Sequence, residues 1–277
     1  TLGLHGCNKS PEEHIQAGKA LMEKADHRAA ILELKTALQG QPGNGEARLL
    51  LGQAYLAGSA YVEAEKELRK ALELGLAPER VIPALAKTLN RMGEHKKVLE
   101  LNLVGGNAKG DAIAFFQTMR AEALFNLNNG DDARRAIALA EEADGKQPDL
   151  LLLKARLAAS QKNLTEAHRL IDAALTSHPK FVDGHYFKAA LQEAEKNPEL
   201  AIQSYGKVVA LDPKAYRALL AISDIQFKKG DKDAALKSLQ AAEAAAPNMP
   251  MVKYSRGIYE LRNNNLMTKS DVSTGNP

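Results

Sequence analysis

Residues 29–39 read AAILELKTALQ, and residues 63–73, one period later, read EAEKELRKALE. When the repeats are aligned, one equivalent position, which we call the alanine column, recurs every 34 residues with one step of 35. Its members are Ala30, Ala64, Val98, Ala133, Ala167, Ala201 and Ala235. A column twelve residues earlier holds Gly18, Gly52, Ala86, Ala121, Ala155, Ala189 and Ser223. A third, seven residues later, holds Ala37, Ala71, Gly105, Ala140, Ala174, Val208 and Ala242. Three small-residue columns in phase predict stacked helix pairs that pack closely where side chains are small.

A period of 34 residues is the length of the tetratricopeptide (TPR) unit. Pro42, Pro179, Pro213 and Pro247 end four of the periods, because proline cannot continue a helix. The sequence therefore predicts an all-α TPR superhelix, an α-solenoid of about seven repeats with a C-terminal capping helix. The expected boundaries are a tether at 1–10, repeats near 11–44, 45–78, 79–113, 114–147, 148–181, 182–215 and 216–249, a cap at 250–262 and a flexible tail at 263–277. We expect one elongated domain, with a break at the glycine-rich residues 105–111.

Composition and charge argue against several classes of function. The chain of 277 residues has 5% aromatic residues and a formal net charge of +3, with both signs of charge interleaved along the helices. This pattern does not suggest a nucleic-acid-binding polycation, and no apolar run approaches the length of a membrane-spanning helix. The seven histidines form no ligand-like spacing, and a single cysteine excludes an internal disulfide or cysteine-based zinc site. We expect no metal, no cofactor and no enzymatic activity.

The single cysteine lies in the stretch Leu4-His5-Gly6-Cys7, shortly before the first repeat. A small residue followed by cysteine is similar to the end of a bacterial lipoprotein signal, in which the thiol accepts a diacylglycerol group. The alternative is an incidental thiol on a disordered terminus.

The first helices of TPR arrays line the concave face, so their residues that face into the groove are the candidate partner site. The middle of this face is polar and net basic. It predicts a groove for a protein or peptide partner, either an acidic peptide or an anionic polysaccharide, with the contact residues Lys87, Asn90, Arg91, Asn126, Arg156 and Tyr186. A generic hydrated groove is the alternative. The carboxylate-gripping set of co-chaperone TPR domains is matched only in part, by Lys19 and Gln53.

A narrower resemblance covers most of the first hundred residues. Cys7 to Ser10, the runs 29–39 and 46–56, and the run 64–75 with 81–86 resemble the TPR-repeat lipoproteins of the PEP-CTERM/exosortase system of Gram-negative bacteria. The resemblance implies lipidation of Cys7 and a periplasm-facing lipoprotein linked to exopolysaccharide production and export. Asn8, in place of the aspartate that retains lipoproteins in the inner membrane, favours the outer membrane.

Three functional hypotheses therefore remain open from the sequence. The first is a lipid-anchored periplasmic scaffold of an exopolysaccharide or PEP-CTERM surface-protein export system. The second is a soluble cytoplasmic peptide-binding adaptor of the co-chaperone type. The third is the regulatory TPR array of a larger enzyme. An acyl chain on Cys7 would separate the first from the second.

Overall fold

A computed structural model describes residues 9–103 and 109–273, with side chains to residue 263. Cys7 and residues 105–108 of the glycine-rich stretch lie outside the described residues. Within those ranges the chain forms helices and no strand. The helices are α1 (Pro11–Glu23), α2 (His27–Gly40), α3 (Gly45–Ala57), α4 (Tyr61–Glu73), α5 (Pro78–Met92), α6 (His95–Glu100), α7 (Gly110–Asn126), α8 (Gly130–Asp144), α9 (Pro148–Ser160), α10 (Leu164–Ser177), α11 (Val182–Ala194), α12 (Pro198–Leu211), α13 (Tyr216–Lys228), α14 (Lys232–Ala245) and α15 (Pro250–Ser273).

Successive helices pack in pairs, from α1 with α2 to α13 with α14, and the small columns lie between the partners. All seven members of the alanine column, including Val98, have no exposed surface. Two glycines of the small columns lie in close contact with a leucine of the partner helix. A Cβ on Gly18 would lie 2.7 Å from Leu34 Cγ, and one on Gly52 would lie 2.6 Å from Leu68 Cγ. The predicted all-α TPR solenoid is confirmed, with small residues where helices meet.

The turns within the pairs share one backbone conformation. Their left-handed residues are Ala25, Ser59, Gly93, Asn128, Lys162, Lys196 and Gly230, with φ between 56° and 89°. These positions follow the same period as the small columns, with the single step of 35 between Gly93 and Asn128. Glycine adopts this conformation at little cost, but five of the seven are other residues, for which it is strained. The turn is therefore fixed by the packing of the helices that it connects.

The described chain divides into two compact units. Unit 1 ends at Ser177, and unit 2 begins at His178. Unit 1 contains α1–α10. Its third pair is irregular, because α6 ends at Glu100 and α7 starts at Gly110, four residues before the predicted boundary. Asn102, which occupies the column of Leu34 and Leu68, is exposed, so the column of large apolar residues is interrupted there. In this region α5 packs directly against α7.

Unit 2 contains the pairs α11–α12 and α13–α14, with α15 packed against α14 and α13. A side-chain hydrogen bond recurs with the repeat: Ser204 donates to Gln192 and, one period later, Ser238 donates to Gln226, both at 2.7 Å. Helix α15 continues to Ser273, past the cap end at 262 that the sequence suggested. No glycine or proline lies between Arg262 and Ser273 to stop it.

Candidate functional site

Five of the six predicted contact residues lie on the first helices of unit 1. Lys87, Asn90 and Arg91 are on α5, Asn126 is at the end of α7, and Arg156 is on α9. Since α5, α7 and α9 pack against each other in sequence, these residues share one surface. We call it the α5–α7–α9 surface and define it by Lys87, Asn90, Glu122, Asp149 and Arg156.

Lys87 is held by residues from two later repeats. Its Nζ atom lies 3.1 Å from Asp149 Oδ1 on α9 and 5.8 Å from the centre of the Phe115 ring on α7. Only 23% of the Lys87 side chain and 11% of the Asp149 side chain are exposed. A pair with this little solvent contact is costly to separate, because each charge would lose its partner in a partly desolvated place. Lys87 therefore connects α5 to α9 and is less accessible than its sequence position suggested.

Arg156 is in a different situation. Its Nη1 atom lies 3.6 Å from Glu122 Oε1, one repeat earlier, and 40% of its side chain is exposed. A long ion pair between partly exposed groups contributes little stability and is readily exchanged for another partner. Arg156 is thus a cation that can change partners at small cost.

The two predicted asparagines differ in their availability. Asn90 Nδ2 donates to the Met119 backbone oxygen at 2.8 Å, and its Oδ1 lies 3.2 Å from His95 Nδ1. Asn90 is therefore engaged in holding α5 against α7. Asn126 is exposed at the end of α7, and its amide donates to the Glu122 backbone oxygen. Arg91 is exposed in the last turn of α5.

The sixth predicted contact, Tyr186, lies on α11 in unit 2. Its ring meets the Tyr205 ring edge-on, with the centroids 6.1 Å apart. Burial raises the pKa of the Tyr186 hydroxyl to about 12. The geometry around Tyr186 is that of a side chain packed against α12, where it joins the core of unit 2.

Acidic residues on the first helices pair with basic residues of other repeats. Glu46 on α3 pairs with Lys19 at 3.5 Å and with Arg80 at 2.5 Å, so it receives a cation from the repeat on each side. Glu122 and Asp149 take up Arg156 and Lys87 in the same way. The predicted basic surface is therefore one of alternating charge. The sequence does contain a signal for these acidic partners, since several first helices have an acidic residue near their start, as in Glu46 and Asp149.

The described residues contain no group of three or more histidine, cysteine, aspartate or glutamate side chains arranged to hold a metal ion. Over the same part of the chain, no helix combines the length and apolar character needed to cross a membrane.

The helix pairs and their polar first-helix surface define a class of protein, the α-helical repeat scaffold. A family model described as tetratricopeptide repeat matches residues 21–97 and 192–256, which together are just over half of the chain. A second model with the same description matches residues 118–180 and 152–216. The chain belongs to the tetratricopeptide repeat family. The repeats of this family form protein-interaction scaffolds that bind protein or peptide partners, and the fold is typically non-catalytic.

Three solved structures to which this chain is similar are distant from it in sequence. A chain in the crystal structure of the APC/C hetero-tetramer Cut9–Hcn1 is 15% identical, with a TM-score of 0.53 over 92% of this chain, which spans only 49% of that one. A tetratricopeptide repeat protein from Parabacteroides merdae is 20% identical, with a TM-score of 0.52 over 90% of this chain and 98% of the other. PilW, a type IV pilus biogenesis factor, is 16% identical over 90% and 99% of the two chains, with a TM-score of 0.43. No curated protein matches the sequence significantly.

Proposed function

We propose that this chain is a non-catalytic scaffold that binds an extended peptide with an acidic side chain on the α5–α7–α9 surface. The observation that carries the proposal is the exchangeable pair of Arg156 and Glu122. A partner carboxylate can approach the exposed guanidinium and form two parallel hydrogen bonds, a geometry for which arginine is well suited. Glu122 is already partly exposed, and it can turn to solvent by giving up this long ion pair and a 3.5 Å contact between its Oε2 atom and Asn90 Nδ2.

The rest of the surface prepares the site for this contact. The Lys87–Asp149 pair and the Asn90–Met119 hydrogen bond keep α5, α7 and α9 at fixed spacing before a partner arrives. Such preorganisation reduces the entropy lost on binding. Arg91 and Asn126 lie exposed beside the site and offer polar contacts to a peptide backbone.

The same charges argue for a peptide rather than an anionic polysaccharide. Glu122 and Asp149 lie beside the cations, so a ligand with a negative charge on every unit would meet repulsion on this surface. A peptide can place one carboxylate at Arg156 and neutral residues elsewhere. A polysaccharide ligand is the outcome that would contradict this part of the proposal.

Recovery of partners from an envelope extract of the native host tests the proposal. Arg156→Glu should lose the partners that the wild-type chain recovers, while Arg169→Glu should retain them. Arg169 is a matched control because it is an exposed arginine paired with a nearby carboxylate, Glu166, on the second helix α10. Added salt should weaken the recovery, since exposed charges are screened over about 8 Å at physiological ionic strength. Equal recovery by both variants would reject this surface as the binding site.

We further propose that Cys7 carries a lipid and that the scaffold faces the periplasm from the outer membrane, within an exopolysaccharide or PEP-CTERM surface-protein export system. The support is the resemblance of the first hundred residues to that lipoprotein family. Helix α1 also starts only at Pro11, where Ser10 and Glu13 form a capping box, so Cys7 precedes the folded repeats.

Acyl labelling in a Gram-negative host, with the native leader of the gene, tests the anchor. The wild-type chain should incorporate a labelled fatty acid and sediment with outer membranes, and Cys7→Ser should do neither. A chain that remains in the cytoplasm without label would favour the co-chaperone type of adaptor. This test is independent of the Arg156 experiment, so either proposal can fail alone.

A further inference from the structure

Helix α15 continues the repeat pattern of the first helices beyond the seventh pair. Gly257 lies one period after Ser223, in the column that begins with Gly18 and Gly52. In the earlier pairs a second helix covers this column, as Leu34 covers Gly18 and Leu68 covers Gly52. Among the described residues, no atom lies within 4 Å of the position that a Cβ on Gly257 would take. No described helix covers this part of α15.

The side chains around Gly257 form an apolar strip. Tyr254 is 70% exposed and Leu261 is 57% exposed, and Met251 is exposed one turn before Tyr254. The opposite side of α15 is the one that packs on unit 2, where Val252 is buried. We call Met251, Tyr254, Gly257 and Leu261 the open face of α15. Large apolar side chains gathered on one helix face are characteristic of an interaction surface.

One edge of the open face carries two opposite charges. Lys253 and Glu260 are exposed and seven residues apart, so they project from the same side of the helix to within about 20°. The neighbouring arginines are already used within the unit, since Arg256 pairs with Glu243 and Arg262 pairs with Asp224. Lys253 and Glu260 are thus the charges that border the open face.

The two charges on this edge of α15 are complementary to the same edge of a second copy. When two identical helices pack antiparallel, the same edge of each helix meets the same edge of the other, and the order of residues is reversed. Lys253 of one copy then faces Glu260 of the second copy, and the symmetric pair forms as well. A parallel arrangement would not bring these two edges together. The charges at this edge therefore specify a second copy of this chain, in one orientation.

We propose that two copies of the chain associate through the open faces of α15, packed antiparallel and crossing near Gly257. The absence of a side chain at Gly257 lets the helices approach closely, while Tyr254 and Leu261 of each copy cover the apolar strip of the other. The interface is isologous, with the same residues contributed by both copies. A single helix pair buries an area at the low end of specific interfaces, so the association is weak and concentration-dependent.

Sedimentation equilibrium of the 277-residue chain, from about 1 to about 500 µM, spans the affinities of such small interfaces. The wild-type chain should show a monomer–dimer equilibrium. The variant Tyr254→Glu/Leu261→Glu should be monomeric throughout. Val62→Glu is the control, because Val62 is equally exposed but lies on α4 in unit 1. A monomeric wild-type chain, or a dimer that survives the double substitution, would overturn the proposal.

Charge exchange tests the orientation and distinguishes self-association from binding by another protein. Lys253→Glu and Glu260→Lys should each weaken their own dimer about tenfold, the size expected when two exposed ion pairs become repulsive. A mixture of the two variants should form a heterodimer at least as strong as the wild-type dimer, because every facing pair is then opposite in charge. The doubly exchanged Lys253→Glu/Glu260→Lys chain should also recover. Failure of both recoveries would overturn the antiparallel arrangement.

Gly257→Leu gives a further readout that loss of folding cannot imitate. The added side chain enters open space within one copy and removes a helix-destabilising glycine, so it should preserve or raise the melting temperature. In the dimer the same side chain lies at the crossing point and should weaken association about tenfold or more. If Gly257→Leu keeps the melting temperature of the wild-type chain but loses association, the proposal is supported. If its association is unchanged, the proposal is contradicted.

Discussion

Replacing Gly52 by alanine measures how closely the helices of one repeat approach. The new Cβ would lie 2.6 Å from Leu68 Cγ, 2.9 Å from Leu68 Cδ2 and 3.3 Å from the Ala64 backbone oxygen. Leu68 has no exposed surface and Ala64 belongs to the fully buried alanine column, so neither has room to move aside. Overpacking of this kind costs about 1–3 kcal/mol. The gain in helix propensity from glycine to alanine returns about 1 kcal/mol. The expected net loss of stability is about 0–2 kcal/mol.

Gly206→Ala is the matched control. Gly206 lies in the interior of α12, and a Cβ there would meet no atom of the described residues within 4 Å. Only the propensity term remains, so Gly206→Ala should stabilise its helix by about 0.5–1 kcal/mol. The same chemical change should therefore have opposite effects, or at least effects that differ by about 1–3 kcal/mol, the cost of overpacking alone.

Native-state hydrogen exchange is the suitable assay, because repeat arrays open locally and do not always unfold in one step. Protection should fall in α3 and α4 for Gly52→Ala and rise in α12 for Gly206→Ala, each against the wild-type chain. In a double-mutant cycle, Gly52→Ala should cost less when Leu68 is already alanine, since the clash has been removed. Stabilisation by Gly52→Ala, or no coupling with Leu68, would refute the packing of the small column.

Three further changes test other parts of the fold. Lys196→Gly should stabilise the α11–α12 turn by about 0.5–1 kcal/mol in urea denaturation, because φ there is 61° and glycine removes the strain; a loss of stability would contradict this. The Tyr186 hydroxyl, whose pKa burial raises to about 12, should not ionise at pH 10, where its unfolded form does, so stability should fall as pH rises from about 10. Burial raises the pKa of Tyr205 to about 12 as well, so in a phenolate absorbance titration Tyr186→Phe should reduce the amplitude of this late component and leave the part due to Tyr205. The hydrogen bond from Arg256 lowers the pKa of Glu243 below its usual value, so the pair stabilises α15 at neutral pH and is lost as pH falls through that lowered pKa. Exchange protection in α15 should therefore decrease in acid, and Arg256→Gln should reduce that dependence to the part that the Arg262–Asp224 pair contributes.

The packing of the pairs was readable from the sequence because it is periodic. Every repeat has to bury the same two helix faces, so the alanine column recurs in phase and all its members are buried. The irregular third repeat was visible for the same reason, since Asn102 breaks a column of large apolar residues. How that break is resolved, with a short α6 and direct packing of α5 on α7, depends on tertiary contacts that the local pattern does not contain.

The left-handed turn column was not found, although it is as periodic as the others. Its members share a backbone angle and no side-chain chemistry, because Ala25, Asn128 and Lys196 adopt the conformation as well as Gly93 and Gly230. Glycine at two of seven positions is too weak a signal beside the abundant glycines of the chain. Here the packing of the two helices overrides the preference of the residue between them.

The acidic partners of the predicted basic residues were missed for a different reason. The basic side chains were found, but their partners come from neighbouring repeats, and Asp149 reaches Lys87 from two repeats away. A sequence window that spans one helix contains Lys87, Asn90 and Arg91 and appears basic. Only the stacking order of α5, α7 and α9 brings in the carboxylates that offset these charges.

The contrast between the two kinds of column bears on how such an array selects a partner. The buried columns repeat and hold the pairs together, whereas the column through Lys87, Glu122 and Arg156 changes sign from one repeat to the next. In the proposed binding mode, a peptide that places its carboxylate at Arg156 would meet Glu122 if it moved by one repeat towards α7, and like charges would then oppose each other. Alternating charge would therefore select one register on a scaffold whose backbone offers several equivalent ones. Under this proposal, specificity comes from the side chains that differ from repeat to repeat.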